Sequence, residues 1–490
     1  MPINHIFVLM LENRSYDHLL GFSAIAGIDA VSGLPTAADG LTGAESNTYQ
    51  GQTYSPIRGA DHVMPVDPPH EFEDVLHQLA GPDATYPAGG VYPPITNSGY
   101  VAAYAAGAGA ANPGEVMKCY APDQLPVLNA LAREFAICDN WHASMPGPTW
   151  PNRMFVHAAS SGGLDHSPGI LEIVQWEAIS GFSFPNGSLY ELLETYGVTR
   201  RLYAGDDFPM VSALQGIGLG DIRKFDRFAD DLQSASYPYN YIFIEPNYDV
   251  LHEYRSGSSQ HPLGDIRRGE ALIKQTYEAI RNSPHWNESM LIVTWDEHGG
   301  FFDHAIPPAA AAPGDTAPDN PHNRNHFTFE LYGPRVPALV ISPLVPKNLI
   351  DHRIYDHASI PRTVEKNFGL PYLTERDHRA NDVLALATLS APRDTPQTLP
   401  GTIEGILSAA SATAVRAMTG PVTRPEDSAD EGNVPAIVQA AMEQQLKAQP
   451  ELREQILERV SRIRTRADAH DYLVEVRNIV RPISAAQGQP

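Results

Sequence analysis

The chain has 490 residues and carries 34 basic against 58 acidic side chains, a net charge of -24 at neutral pH. That balance argues against nucleic acid, which needs clustered Lys and Arg to neutralise phosphates, and against long-range attraction to anionic membranes. Hydrophobic residues make up 42%, enough for one large α/β core with additions.

The first segment, HIFVLML at 5–11, reads as a short strand buried on both faces. It is too short and lacks the basic flank of a secretion signal. No run of about 18 apolar residues follows anywhere, so no transmembrane helix is expected. The expected address is cytoplasmic, with secretion of a longer precursor left open. Residues 81–114, rich in Gly, Ala and Pro, read as a loop. A helix is expected from Leu125 to Glu134, then a strand in FAICD (135–139). Cys119 and Cys138 read as two buried thiols in preference to a disulfide. Pro151 suits the first turn of a helix that continues from Asn152 to Ala159, which leaves Thr149 near its cap.

Further strands are expected in YIFIE (241–245), MLIVTW (290–295) and ALVIS (338–342). Between them, Gly269 to Arg281 carries Leu272, Ile273, Tyr277 and Ile280 at helical spacing. Strands alternating with helices predict a mostly parallel sheet with helices on both faces. Residues 306–325 read as a second loop, and 391–435, rich in Thr, Pro and Ala, as a linker. The division is therefore a catalytic unit over 1–390, the linker, and a helical tail over 436–490. In the tail Leu452, Ile456, Val460 and Ile463 share one helical face, and Pro450 separates that helix from the one before. The tail is expected to pack as a helical hairpin, with no chemistry in it.

Open α/β sheets bind ligands at the carboxyl ends of their strands. The first strand ends in Glu12-Asn13-Arg14-Ser15-Tyr16-Asp17-His18, and the strand at 290–295 in Asp296-Glu297-His298-Gly299-Gly300 followed by FFDH. Two carboxylate clusters far apart in sequence thus reach one sheet edge. Their oxygens, with nearby His, suit one divalent cation: Ca, Mg or Mn by the oxygens, with Zn or Fe open because of the imidazoles. Thr149 sits where a helix N-terminus favours a phosphate and an ionised hydroxyl, although a plain capping threonine has the same geometry. His70, His261, His304 and His357, or His142 and His157 beside the threonine, are candidates to bind phosphate oxygens or protonate a leaving group.

LENRSYDHLLGF, ASMPGPTWPNRMFVHAASSGG and TWDEHGGFFDHAIPP resemble signature blocks of the phosphoesterase family of bacterial phospholipases C and acid phosphatases, which includes the plant non-specific phospholipases C. QHPLGDIRRGEALIKQTYEAIRNSPHW, GPRVPALVISPLV, DHASIPRTVEKNFGL and LTERD agree, so the resemblance runs from about Ile3 to Asp377. It implies an alkaline-phosphatase-like α/β fold with the site at the strand ends. It implies a metal held by Glu12, Asn13, Thr149, Asp296 and Glu297, with Thr149 as nucleophile and a phospho-threonine intermediate. His70, His261 and His304 would surround the phosphate, and Asn13, His298 and Asn152 would contact the substrate.

The implied activity is phospholipase C type cleavage to diacylglycerol and a phosphorylated headgroup, with peripheral membrane contact. Tyr92, Tyr100, Tyr104, Trp141, Trp150 and Phe301 are candidates to line an apolar approach, against the plainer reading that most are core. An acid phosphatase acting on soluble monoesters is the alternative. A catalytically silent phosphate or lipid binder is the alternative of another class, against which the presence of Glu12, Asn13, Thr149, Asp296 and Glu297 counts. The chain departs from the family in showing no secretion signal, in its tail after about residue 391, and in the Gly/Ala-rich segment 81–114.

Overall fold

The computed structural model describes residues 3–107, 109–179, 182–317, 320–401 and 422–487. The segment 5–11 is strand β1 (His5–Leu11), with every residue buried. A continuous apolar run has no polar face to offer water, so it belongs in the middle of a sheet covered on both sides. That is where β1 lies: it pairs in parallel with β7 (Tyr241–Glu245) on one flank and β8 (Ser289–Trp295) on the other.

The full sheet has ten strands. The others are β2 (Ala26–Asp29), β3 (Pro35–Ala37), β4 (Ala136–Cys138), β5 (Arg200–Ala204), β6 (Ile222–Lys224), β9 (Ala338–Ile341) and β10 (Leu349–Asp351). Their order is β6-β5-β7-β1-β8-β9-β4-β10-β2-β3. Strand β9 runs antiparallel to both neighbours, and β2 to β3, while the remaining pairings are parallel. The five apolar runs read from the sequence are all strands of this sheet. The five strands without such a signal lie toward its margins, where half-exposed residues such as Arg200, Arg201, Ile222 and Arg223 break the apolar run.

Helices cover the sheet: α1 (Tyr16–Leu20), α2 (Phe72–Ala80), α3 (Tyr100–Gly107), α4 (Pro126–Glu134) and α5 (Thr149–Ala158) among them. Helix α3 falls inside the segment 81–114 expected to be a loop. Its buried Tyr100, Val101 and Tyr104 pack with Phe301 and Phe302, a tertiary contact that outweighs the poor local propensity. The helix expected from Gly269 spans Ile266–Arg281, because Asp265 accepts a hydrogen bond from the Arg267 amide and caps it three residues earlier.

The first part of the expected linker is strapped to this helix. Tyr277 Oη donates to the Pro396 carbonyl at 2.6 Å, Arg281 Nη2 to Thr395 at 2.9 Å and Lys274 Nζ to Leu399 at 2.6 Å. Residues 402–421 of that segment lie outside the described residues. The tail forms helices Val434–Ala448, Arg453–Val460 and Arg466–Gln487. Val434, Val438, Ala441 and Met442 join the same apolar cluster as β1 and β8, as do Ile456, Val460 and Ile463. Among the described residues no helix is long and apolar enough to cross a membrane.

Candidate active site

Strands β1 and β8 pair in register to their last residues, Leu11 beside Trp295. The residues that follow, Glu12-Asn13 and Asp296-Glu297, therefore emerge side by side. Asn13 takes a left-handed backbone (φ 60°), which its short amide side chain tolerates. That turn aims its amide N–H at Asp296 Oδ1, 2.9 Å away, and its side-chain Nδ2 at Glu297 Oε1 and, at 3.1 Å, His70 Nε2. Gly299 (φ 64°) lets the second loop pass this close: a Cβ there would lie 2.2 Å from the Asn13 carbonyl oxygen.

Arg153 ties the third element to the same place. Its Nε donates to Asp296 Oδ2 at 2.9 Å and its Nη2 to the Leu11 carbonyl at 2.9 Å. Thr149 opens α5 one helical turn earlier, on the same face, and is buried. It is the first helical residue, with Pro148 at the cap. Arg153 lies in the PNR of a signature block without an expected role. Its spacing of one turn from Thr149 was the available signal.

Asn152 is turned the other way. Its Oδ1 accepts from the Met145 amide at 3.0 Å, and its Nδ2 donates to the carbonyls of Met145, Gly147 and Pro148. The side chain is fully engaged in knotting the loop that presents Thr149, so the structure gives it a positioning task where substrate contact was expected. His298 is likewise enclosed, with Nε2 2.7 Å from Gln78 Oε1 and Nδ1 3.3 Å from Glu297 Oε2.

The histidines separate. His70 joins the central group: Nδ1 lies 2.7 Å from the Pro68 carbonyl and Nε2 3.9 Å from Glu297 Oε1. Burial lowers its pKa, but Glu297 and Asp67 outweigh that and raise it to about 10. His261 sits one layer out, 3.4 Å from Asp67 Oδ2 and stacked on Tyr254 with ring centroids 3.4 Å apart. Burial leaves it lowered despite Asp67. His304 belongs to a neighbouring network, with Nδ1 2.7 Å from Asp17 Oδ2 and Nε2 3.4 Å from Asp39 Oδ1. No described hydrogen bond or ion pair links it to Asn13, Asp296 or Glu297. His357 Nδ1 accepts from Trp141, so its Nε2 donates to the Asp296 carbonyl; burial lowers it to about 4. His142 and His157 are lowered to about 4 and about 3 by burial and are spoken for by Gly333 and Tyr190.

Negative charge dominates the centre. Burial, then Asp296, raises Glu12 to about 8; burial, opposed by Arg153, raises Asp296 to about 7. Burial pushes Glu297 up as well, but His70 and His298 more than reverse it. Among the described residues, two groups bring three ligand atoms within 4.8 Å of one another: His5, His285 and Glu288, and Asp17, Asp303 and His304. Glu12, Asp296 and Glu297 do not form a third such group, and the Asp296 oxygens accept from the Asn13 and Glu297 amides and from Arg153. In the second group Arg335 supplies the cation, donating to Asp303 Oδ1 and Asp17 Oδ1.

The residues still fit a divalent ion at the centre. Glu12 Oε1 and Asn13 Oδ1 are buried acceptors with no hydrogen-bond partner, a costly state that an oxygen-seeking cation would relieve. The other Glu12 oxygen accepts from Asn433 Nδ2 at 3.1 Å, and the Asn433 amide reaches Tyr254 Oη at 3.4 Å. Asn433 lies near the end of the segment read as a linker, just ahead of the tail, so the end of that segment touches the site. No local signal marks Asn433, since only the packing of the following helix brings it there.

Tyr100, Tyr104, Trp141 and Phe301 are buried in the core. Trp150 is nearly as enclosed, and Tyr92 is half-buried. Cys119 and Cys138 are both free and buried, as expected.

Residues 3–371 match the Phosphoesterase family. Non-specific phospholipase C5 of Arabidopsis thaliana is 34% identical over 424 residues, 81% of this chain and 76% of that protein. Phospholipase C B of Mycobacterium tuberculosis is 28% identical over 436 residues, 80% of this chain and 78% of that protein. Among solved structures, a protein in the alkaline phosphatase superfamily from Vibrio parahaemolyticus aligns with 56% of this chain and 65% of its own, at 14% identity and a TM-score of 0.32.

Proposed function

We propose that this chain, which belongs to the phosphoesterase family and is a phosphoric ester hydrolase, cleaves phospholipids through a phospho-threonine on Thr149. The observation that carries the reading is the meeting of Asn13 with Asp296, Glu297 and His70 at the ends of β1 and β8, beside the helix that Thr149 opens. The names of the relatives support phospholipase C type activity.

In the proposed route Thr149 Oγ1 attacks phosphorus in line with the leaving alcohol. The new O–P bond forms as the P–O bond to diacylglycerol breaks, and the leaving oxygen takes a proton. His70, whose pKa Glu297 and Asp67 raise against the effect of burial, stands beside Glu297 to bind a phosphate oxygen or, once Nε2 carries a proton, to give it to the leaving group. Free N–H groups at the start of α5 favour the charged equatorial oxygens. Arg153 holds Asp296 and the end of β1 in place, and Asn152 holds the loop before Thr149. A divalent ion held by Glu12, Asn13, Asp296 and Glu297 together with Thr149 would stabilise developing negative charge and favour the ionised hydroxyl. Water then hydrolyses the phospho-threonine and restores the hydroxyl.

A second reading, a phosphatase acting on soluble monoesters, is favoured by the burial of Tyr100, Tyr104, Trp141 and Phe301, which leaves them unavailable to an acyl chain. Purified protein assayed on p-nitrophenyl phosphate, p-nitrophenylphosphorylcholine and phosphatidylcholine vesicles separates the two. Diester and vesicle cleavage supports the phospholipase; turnover of the monoester alone would replace it with the phosphatase.

A further inference from the structure

The opposite, amino-terminal end of β1 and β8 carries a second convergence of side chains. His5 is the first residue of β1, His285 caps the short 3₁₀ turn Trp286–Glu288 that leads into β8, and Glu288 closes that turn. Both histidines are buried, and the Glu288 side chain is 37% exposed. Seven strand residues at about 3.3 Å each separate this end from Glu12 by roughly 23 Å.

Each side chain here is oriented by a partner outside the cluster. His5 Nδ1 lies 2.6 Å from the Tyr239 carbonyl, and His285 Nε2 lies 2.8 Å from the Ser234 carbonyl. A carbonyl can only accept, so these nitrogens carry the protons. The opposite nitrogens, His5 Nε2 and His285 Nδ1, then present lone pairs. One oxygen of Glu288 accepts from Asn4 Nδ2, leaving Oε1 for the histidines. Those lone pairs face Glu288 Oε1 at 3.8 Å and 3.9 Å. Three acceptors this close repel unless positive charge, a proton or a metal ion, lies between them. Ligand atoms around a tetrahedral zinc ion stand about 3.4 Å apart, so the two distances are within about half an ångström of that need. All three ligand atoms lie within 4.8 Å of one another.

We propose that His5 Nε2, His285 Nδ1 and Glu288 Oε1 form a metal site for a borderline divalent cation such as zinc. Two imidazoles and one carboxylate match zinc chemistry, with solvent on the exposed Glu288 side as the fourth ligand. Backbone carbonyls behind both imidazoles, and Asn4 behind the carboxylate, are the outer partners that fix ligand tautomer and direction in metal sites. The ion would staple the start of β1 to the turn that starts β8.

The test is zinc stoichiometry. Full-length protein is loaded with excess zinc chloride, desalted and analysed for bound metal, alongside His285→Gln and Glu288→Gln. Wild type should retain one more zinc per chain than either variant, while both variants hydrolyse phosphate esters at the wild-type rate. Asn4→Ala should keep the site but weaken zinc binding about tenfold or more. Circular dichroism checks the fold, and Glu288→Gln, at a partly exposed position, keeps the test usable if His285→Gln unfolds. Equal zinc content in wild type and folded Glu288→Gln would overturn the proposal.

Discussion

Strands β1 and β8 lie side by side over their whole length, yet their two ends carry opposite chemistry. The carboxyl end gathers Glu12, Asp296 and Glu297 with buried, unpartnered oxygens on Glu12 and Asn13. It relies on a left-handed Asn13 and on Gly299 to bring two loops into contact. The amino end holds two imidazoles and one half-exposed carboxylate, each anchored by a partner behind it. Burial, reinforced by neighbouring carboxylates, raises the pKa of Glu12 and Asp296, whereas burial and a neighbouring imidazole lower that of His5. The difference teaches that convergence alone does not make an active site. What separates the two ends is the start of α5 with its buried Thr149, the proposed nucleophile, which stands at the carboxyl end.

That contrast is broken most directly at Thr149. Thr149→Ala should lower kcat on a phosphate ester by about 10³-fold or more, since no other group replaces a covalent nucleophile. Full activity in the variant would remove the threonine from the mechanism. Chelation comes next. Exhaustive chelator treatment should abolish hydrolysis, and readdition of Ca, Mg, Mn or Zn salts one at a time should restore it and name the ion. Retained activity with no bound metal would end the divalent-ion reading.

Arg153→Met probes stability at the carboxyl end. It removes the guanidinium from Asp296, leaving a buried carboxylate without its cation, and should cost about 3–5 kcal/mol in chemical denaturation. A loss below about 1 kcal/mol would mean that Asp296 is compensated from elsewhere. Asn433→Ala is a milder cut. It deprives Glu12 Oε2 of the Asn433 hydrogen bond and should cost about 1–3 kcal/mol, with a drop in kcat/KM. An unchanged kcat/KM would reduce this contact to packing. Glu288→Gln at the amino end should show the smallest effect on catalysis, no change in kcat/KM, and any large loss would join the two ends functionally.

Much of this was legible in the linear chain because short buried strands announce themselves. HIFVLML, YIFIE and MLIVTW are continuous apolar runs, and the polar residues that follow them must lie at strand ends. That logic reaches Glu12, Asn13, Asp296 and Glu297 without a structure. The marginal strands were not legible, since Arg200–Ala204 and Ile222–Lys224 mix charge with apolar residues. Helix Tyr100–Gly107 was hidden by its Gly/Ala-rich setting and exists through its packing against Phe301 and Phe302.

By itself the sequence determined the α/β class, the phosphoesterase resemblance, and the strand ends at which the carboxylates of the candidate site meet. Each of these follows from periodicity or from motifs that are local in the chain. Only the tertiary structure decided that Arg153 clamps Asp296, that Asn152 serves its own loop and that His304 stands with Asp17 and Arg335. It alone brought Asn433 to Glu12 and His5 to His285. These are contacts between distant segments, and no local pattern specifies a distant partner, because the direction of a side chain is set by the packing of the elements that carry it.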